Sequence, residues 1–325
     1  MMNIVMLDTS ALGDDVDLSV FENLGNVTRY TNTQPDEVVH RAKAADVVLT
    51  NKVAFGKAEM DELPKLKYIG VNATGTNNID LEYAAKKGIT VTNVKGYSTD
   101  AVVQHTFALL FYVYEKLRYY DDFVKSGAYS DCGCFTHFDR KFYELNGKTW
   151  GIVGLGEIGR GVARIAEAFG CRVIYYSTSG RNNNSDYERV EFDELLESSD
   201  IISIHAPLND ATKGLFDSSA FDKMKSSAVL INVGRGPIVD DEALAEALTE
   251  NRIAAAALDV VSVEPIAKDN PLMGIKDSNR LIITPHIAWA PCETRQRLVN
   301  EVYLNLLAFT KGEKRSVVND FQMQP

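Results

Sequence analysis

Residues 149–177 begin Thr149-Trp-Gly-Ile-Val-Gly154-Leu-Gly156-Glu-Ile-Gly159-Arg-Gly-Val-Ala163 and end Cys171-Arg-Val-Ile-Tyr-Tyr-Ser177. Trp150 to Val153 is a short apolar run of the kind that forms a buried parallel strand. It turns straight into G-x-G-x-x-G. A helical pattern follows, with Ile158, Val162, Ile165, Ala166 and Phe169 on one face and Gly170 as its stop. Val173 to Tyr176 is a second β-branched and aromatic run. Strand, glycine motif, helix and strand within about 30 residues predict a dinucleotide-binding unit. Gly154 permits the tight turn, Gly156 lets the backbone approach a pyrophosphate, and Gly159 lets the helix pack on its strand. The free N–H groups and positive dipole end of the helix complete an anion site.

Upstream, strands are expected at 4–8, 46–50, 67–71 and 89–94, and helices at 16–24 (stopping at Gly25), 36–45, 57–62 and 78–87. Downstream, strands are expected at 201–205, 229–233, 255–259 and 281–284, then a final helix from Pro291 to Phe309. Alternating strands and helices predict doubly wound parallel sheets. Residues 98–120 read as one long helix, apolar on most sides and so buried between layers or at a subunit interface. Residues 126–147 have turn composition, and a loop of that length is usually functional or at an interface.

A chain of 325 residues suits two domains of ordinary size. Its 45% hydrophobic and 24% charged residues are those of a soluble globular protein. A net charge of −11 argues against nucleic acid or an anionic membrane as partner, though not against a small anion at a local cationic site. No apolar run reaches the roughly 20 residues of a membrane span, and the N-terminus reads as a first strand, not a signal peptide. Four cysteines without a framework spacing fit a reducing, cytoplasmic setting. Cys132, Cys134 and His137 form a compact C-x-C-x-x-H with no fourth ligand at suitable spacing, so no metal is expected.

Three stretches fall at the C-terminal ends of the later strands, the edge where open parallel sheets bind ligands. Ile231-Asn-Val-Gly-Arg235-Gly sets an Arg between glycines, suited to fork onto a carboxylate at any working pH. Ala257-Leu-Asp259-Val-Val-Ser-Val-Glu264-Pro265 brackets its strand end with two acids. Ile283-Thr-Pro285-His286 ends a strand on a His. Taken singly, each has an ordinary reading as a solvated loop charge or a hydrogen-bonded structural His. Together they match the reduction of a 2-keto acid by hydride. Arg235 suits the carboxylate, His286 suits proton donation to the ketone oxygen, and Glu264 suits orienting His286 and keeping it protonated.

The same residues resemble the D-isomer-specific 2-hydroxyacid dehydrogenases: Gly154-x-Gly-x-x-Gly159, Asn232-Val-Gly-Arg235-Gly, Leu258-Asp259-Val-x-x-x-Glu264-Pro265 and Thr284-Pro-His286 occur in that family's order along essentially the whole chain. The resemblance implies that Arg235, Glu264 and His286 are the catalytic set and that Asp259 holds the nicotinamide carboxamide. It places the cofactor on Gly154, Gly156, Glu157, Ile158, Gly159, Ser177, Thr178, Pro207, Thr212, Val233, Gly234, Arg235, Asp259 and His286. It also implies that backbone amides around Ala73, Thr74 and Gly75 grip the substrate carboxylate, alongside Arg235 and His286. Within the family, Ala73-Thr-Gly75, Gly96-Tyr-Ser-Thr99, Gln104-His-Thr-Phe107 and His286-Ile-Ala-Trp289-Ala look most like glycerate dehydrogenases (hydroxypyruvate reductases). Formate dehydrogenases of this fold carry Gln where this chain has Glu264. Phosphoglycerate dehydrogenases often carry a further C-terminal domain, for which little chain follows the last helix. The family's Trp near the loop that begins around residue 126 is replaced by Ala128-Tyr129.

The expected architecture is two α/β, Rossmann-like domains with an interdomain cleft: residues 1–98 plus 290–325 for substrate, residues 99–289 for the dinucleotide. Two chain crossings imply a hinge that closes over substrate. The expected reaction is NAD(P)H-linked reduction of hydroxypyruvate or glyoxylate to a D-2-hydroxy acid, in a homodimer as the resemblance implies. A D-lactate-type dehydrogenase and a non-catalytic, cofactor-sensing corepressor are the rival readings. The complete Arg235, Glu264 and His286 set counts against the corepressor. An NAD enzyme places a ribose-binding acid about 20 residues past the glycine motif. Here that position is Ser177, followed by Thr178-Ser-Gly-Arg181, which does not repel a 2′-phosphate. NAD is expected with a slight preference, and NADP is expected to work.

Overall fold

The computed structural model describes residues 1–320, which form two compact units: Met1–Ser98 together with the chain from Ala290 onward, and Thr99–Trp289. The first unit holds five parallel strands, β1 (Met2–Met6), β2 (Gly25–Arg29), β3 (Val47–Thr50), β4 (Tyr68–Val71) and β5 (Thr90–Thr92), in the order β2-β1-β3-β4-β5. β3 and β4 are buried at every position, as strands covered on both faces must be. The final helix, Cys292–Thr310, packs on this sheet, with Phe309 against Tyr68 at a ring separation of 4.9 Å.

The second unit holds seven parallel strands in the order β12-β11-β10-β9-β6-β7-β8. They are β6 (Thr149–Val153), β7 (Arg172–Tyr176), β8 (Glu188–Arg189), β9 (Ile201–Ile204), β10 (Val229–Asn232), β11 (Ala255–Leu258) and β12 (Leu281–Ile283). The strand order reverses between β6 and β9, which opens a crevice at their C-terminal ends. Helices Thr99–Tyr114 and Glu157–Ala168 cover one face. Gly161 lets them meet closely: a Cβ there would sit 2.6 Å from Val103 Cγ2. Both sheets are the doubly wound, Rossmann-like architecture that strand–helix alternation predicts.

Four local expectations change. The helix expected at 16–24 is a 3₁₀ turn, Ser19–Asn23, and Gly25 opens β2 instead of ending a helix. A Cβ on Gly25 would collide with the Met2 carbonyl, so strand approach explains this glycine. The long helix at 98–120 ends at Tyr114, because Lys116 has φ 55° and reverses the chain into a separate helix, Leu117–Lys125, with no buried residue. The glycine-motif helix buries Gly159, Gly161, Val162, Ala163 and Ala166, whereas Ile165 and Phe169 are partly exposed. Val162 and Ala166 of the predicted face are therefore buried as expected, and the small residues Gly159, Gly161 and Ala163 widen the packing surface in place of Ile165 and Phe169. Residues 126–147 contain a single helical turn, Ala128–Asp131.

Candidate active site

The glycine motif is built as its spacing requires. Gly154 has φ 92°, and a Cβ would sit 2.8 Å from the Ala206 nitrogen, so the turn needs glycine twice over. A Cβ on Gly159 would collide with the Gly154 carbonyl. Gly156 is different: it is exposed, and a Cβ there would meet no atom within 4 Å. Packing does not explain it. It is the N-cap of the twelve-residue helix Glu157–Ala168 and makes no side-chain cap bond. First-turn amides without a cap, beside open space at a glycine, fit a pyrophosphate.

The other residues expected at the cofactor differ in exposure. Pro207 and Glu157 are exposed, while Ile158, Thr178 and Gly234 are half-buried beside buried Val233. Thr212 is fully buried, and its hydroxyl donates to the Pro207 carbonyl at 2.7 Å and accepts from Asn209 N at 2.9 Å. It closes this loop from beneath. Ser177 is buried at the end of β7, where its hydroxyl accepts from Asn182 N at 3.3 Å. Asn182 in turn donates to the Leu155 carbonyl at 2.6 Å, tying the residues after β7 to the glycine motif. His205 ends β9 at the crevice. Its Nε2 lies 2.9 Å from Ser203 Oγ, its Nδ1 is buried without a partner among the described residues, and burial pushes the imidazole down to about 3.

The loops after β10, β11 and β12 carry the polar constellation. His286 Nδ1 and Glu264 Oε2 are 2.7 Å apart, both side chains about one-third exposed. Glu264 Oε1 also accepts from Val261 N at 3.4 Å. With Nδ1 engaged, Nε2 is the nitrogen left to meet a substrate. Arg235 is exposed, and its guanidinium donates to the Gly234 carbonyl at 2.8 Å. A Cβ on Gly236 would collide with the Val261 carbonyl, so the arginine loop lies directly on the backbone that leads to Glu264.

Asp259 lies beneath this constellation. It is 1% exposed, and its carboxylate accepts from Thr284 Oγ1 at 2.6 Å and from Ile287 N and Ala288 N, both at 2.8 Å. Burial works to raise its pKa, but hydrogen bonds from His105, Thr284, Ala288 N and Ile287 N outweigh it and hold the carboxyl below its ordinary value. Most of its capacity is committed to the turn that presents His286, a role the sequence reading did not give it. His105 joins the same cluster. No short-range pattern reveals this, since the contact joins the buried helix Thr99–Tyr114 to residues far along the chain.

In the first unit, Ala73, Thr74 and Gly75 follow β4. Thr74 Oγ1 donates to the Val94 carbonyl at 2.7 Å and Asn93 Nδ2 to the Thr74 carbonyl at 2.6 Å, which pins the loop. Among the described residues, no acceptor meets the N–H of Thr74 or Gly75. Cys132, Cys134 and Cys292 are free and exposed. His137 stacks on Phe123 at 3.7 Å between ring centroids, with Nε2 2.7 Å from the Tyr119 hydroxyl. Its role is in the local aromatic packing.

Residues 107–288 match the family model described as D-isomer specific 2-hydroxyacid dehydrogenase, NAD binding domain. The chain belongs to the D-isomer specific 2-hydroxyacid dehydrogenase family. It is 39% identical to a hydroxypyruvate reductase of Blautia hydrogenotrophica over 98% of this chain and 100% of that one. It is 35% identical to a glycerate dehydrogenase of Methylorubrum extorquens over 97% and 98%. Among solved structures, the D-lactate dehydrogenase of Aquifex aeolicus, complexed with NAD and lactic acid, superposes with a TM-score of 0.82 at 28% identity, covering 96% of each chain. This family member is thus an oxidoreductase of D-2-hydroxy acids that uses a nicotinamide cofactor. Among its described residues, no helix is long and apolar enough to cross a membrane.

Proposed function

We propose that this enzyme reduces a small 2-keto acid, hydroxypyruvate or glyoxylate, to the D-2-hydroxy acid, with residues 99–289 holding the cofactor and the remaining unit gripping the substrate. The observation that carries the reading is the 2.7 Å His286 Nδ1–Glu264 Oε2 contact. A carboxylate on Nδ1 favours a proton on that nitrogen, and the protonated ring then presents a second proton on Nε2. That proton passes to the ketone oxygen as C2 receives hydride, so the product gains one hydride and one proton. When bound, the nicotinamide supplies the hydride. Arg235, whose guanidinium has most of its donors uncommitted, forks onto the substrate carboxylate, and the Thr74 and Gly75 amides add donors. The likeness to a hydroxypyruvate reductase and a glycerate dehydrogenase supports the substrate class. The absence of a carboxylate at Ser177 supports use of NADPH as well as NADH, with NADH slightly preferred. Phe135, Phe138 and Tyr143, at 89%, 79% and 57% exposure, support a homodimer contact through that loop.

Turnover of a keto-acid panel with NADH and NADPH tests the substrate. Hydroxypyruvate and glyoxylate should lead, and a clear preference for pyruvate would move the enzyme to the D-lactate class. His286→Ala should lower kcat for reduction about 10²–10⁴-fold with little change in cofactor affinity. Arg235→Lys keeps the charge but loses the fork, so it should chiefly weaken keto-acid handling, and unaltered KM and kcat would remove Arg235 from the carboxylate.

A further inference from the structure

His105 stands on the buried helix Thr99–Tyr114, away from every motif assigned a chemical task above. Its Nε2 lies 3.1 Å from Thr284 Oγ1 and 3.5 Å from Asp259 Oδ1. The Thr284 hydroxyl has one proton and gives it to Asp259 Oδ1 at 2.6 Å. The contact between Nε2 and Oγ1 therefore requires the proton to be on Nε2, and His105 is the donor into the Thr284–Asp259 pair. On its other side, Asp259 reaches the chain that carries His286. Its carbonyl accepts from His286 N at 2.8 Å, and its carboxylate accepts from Ile287 N and Ala288 N. Three successive amides thus converge on one aspartate. They belong to a turn in which His286 has φ 56°, a left-handed backbone that a non-glycine residue keeps only where its surroundings hold it.

We infer that His105 is a positioning residue for His286. Acting through Thr284 and Asp259, it fixes the orientation of a buried carboxylate, and that carboxylate holds the turn that aims the imidazole. The inference rests on reading His286 as the proton donor. Without His105, a carboxylate that is 1% exposed keeps its amides but loses a donor on its far side. It is then free to rotate, and the turn loses its single orientation. Small misplacement of a reacting group is enough to slow a reaction without preventing ligand binding.

The test uses the full-length enzyme with NADH and its best keto acid. His105→Ala should lower kcat about tenfold, leave KM and the cofactor Kd within about twofold, and raise the solvent isotope effect on kcat as proton transfer becomes slower. His105→Gln places an amide N–H near the position of Nε2 and should recover most of the loss. If His105→Ala does not fold, Thr284→Val removes the bridging hydroxyl and should show the same split, with Thr284→Ser recovering it. A folded His105→Ala with unchanged kcat overturns the inference, as does failure of both conservative variants to restore activity. His286→Ala is assayed alongside. If it keeps its kcat, the proton-donor reading fails. If it is inactive while His105→Ala is not, only the role of His105 fails.

Discussion

The two sheets obey the same winding rule and treat the same point in it in opposite ways. In the first unit the strand order reverses beside β1, and the second residue after that strand is an acid: Asp8 accepts from Asn51 N and Lys52 N, at 2.9 and 2.7 Å, and from Thr50 Oγ1 at 3.1 Å. The chain's own carboxylate fills the donors at that crevice. In the second unit the order reverses beside β6, and the strand is followed by Gly154, Gly156 and Gly159, with no side-chain cap on the helix that follows. One switch point is sealed from within and the other is left open to an external anion. A doubly wound sheet therefore offers the crevice, while the residue at the strand end decides whether a ligand occupies it.

The sharpest way to break this contrast is to make the second crevice resemble the first. In Gly156→Asp the new side chain enters space free of protein, so the fold should survive, but its charge opposes a pyrophosphate. The Kd for NADH should rise about 10²–10³-fold, measured by fluorescence titration, since like charges brought together cost several kcal/mol. Unchanged affinity would mean that the open space is not the phosphate site.

The converse change should damage stability instead of binding. Asp8→Ala leaves two amides and a hydroxyl without their acceptor in a buried setting, a loss of about 2–4 kcal/mol in chemical denaturation. Cofactor affinity should stay within about twofold, because Asp8 belongs to the first unit and the glycine motif to the second. A large loss of NADH affinity with normal stability would show that the two crevices are not separate in function.

A smaller effect sharpens the account of the open site. Ser177→Asp places a carboxylate at the end of β7, where a 2′-phosphate would approach. The ratio of kcat/KM with NADPH to that with NADH should fall about tenfold or more. An unchanged ratio would show that Ser177 does not face the ribose, in keeping with a hydroxyl that already accepts from Asn182 N.

Much of this was legible in the sequence for one reason: in parallel sheets the apolar runs end where the chemistry begins. Gly154, Arg235, Asp259 and His286 each follow such a run, so strand periodicity located them. β2 carried no such signal, being an edge strand in which only Gly25 is buried. The break at Lys116 was hidden because a charged residue in a left-handed turn resembles an ordinary helix position. Part of the packing face of the glycine-motif helix was masked because Gly161 and Ala163 bring helices together by being small, which a hydrophobic pattern does not register. The commitment of Asp259 to the His286 turn depends on hydrogen bonds between separate loops, and local sequence holds no record of them.

The claim that His286 delivers the proton is tested most directly by the pH dependence of kcat/KM in both directions, for wild type and His286→Gln. Reduction needs the imidazolium and oxidation needs the neutral ring. For wild type, reduction should fall, and oxidation rise, as pH increases. His286→Gln should be much slower, with neither limb present. A variant that keeps the wild-type limbs would assign the titrating group, and with it the proton transfer, to another residue.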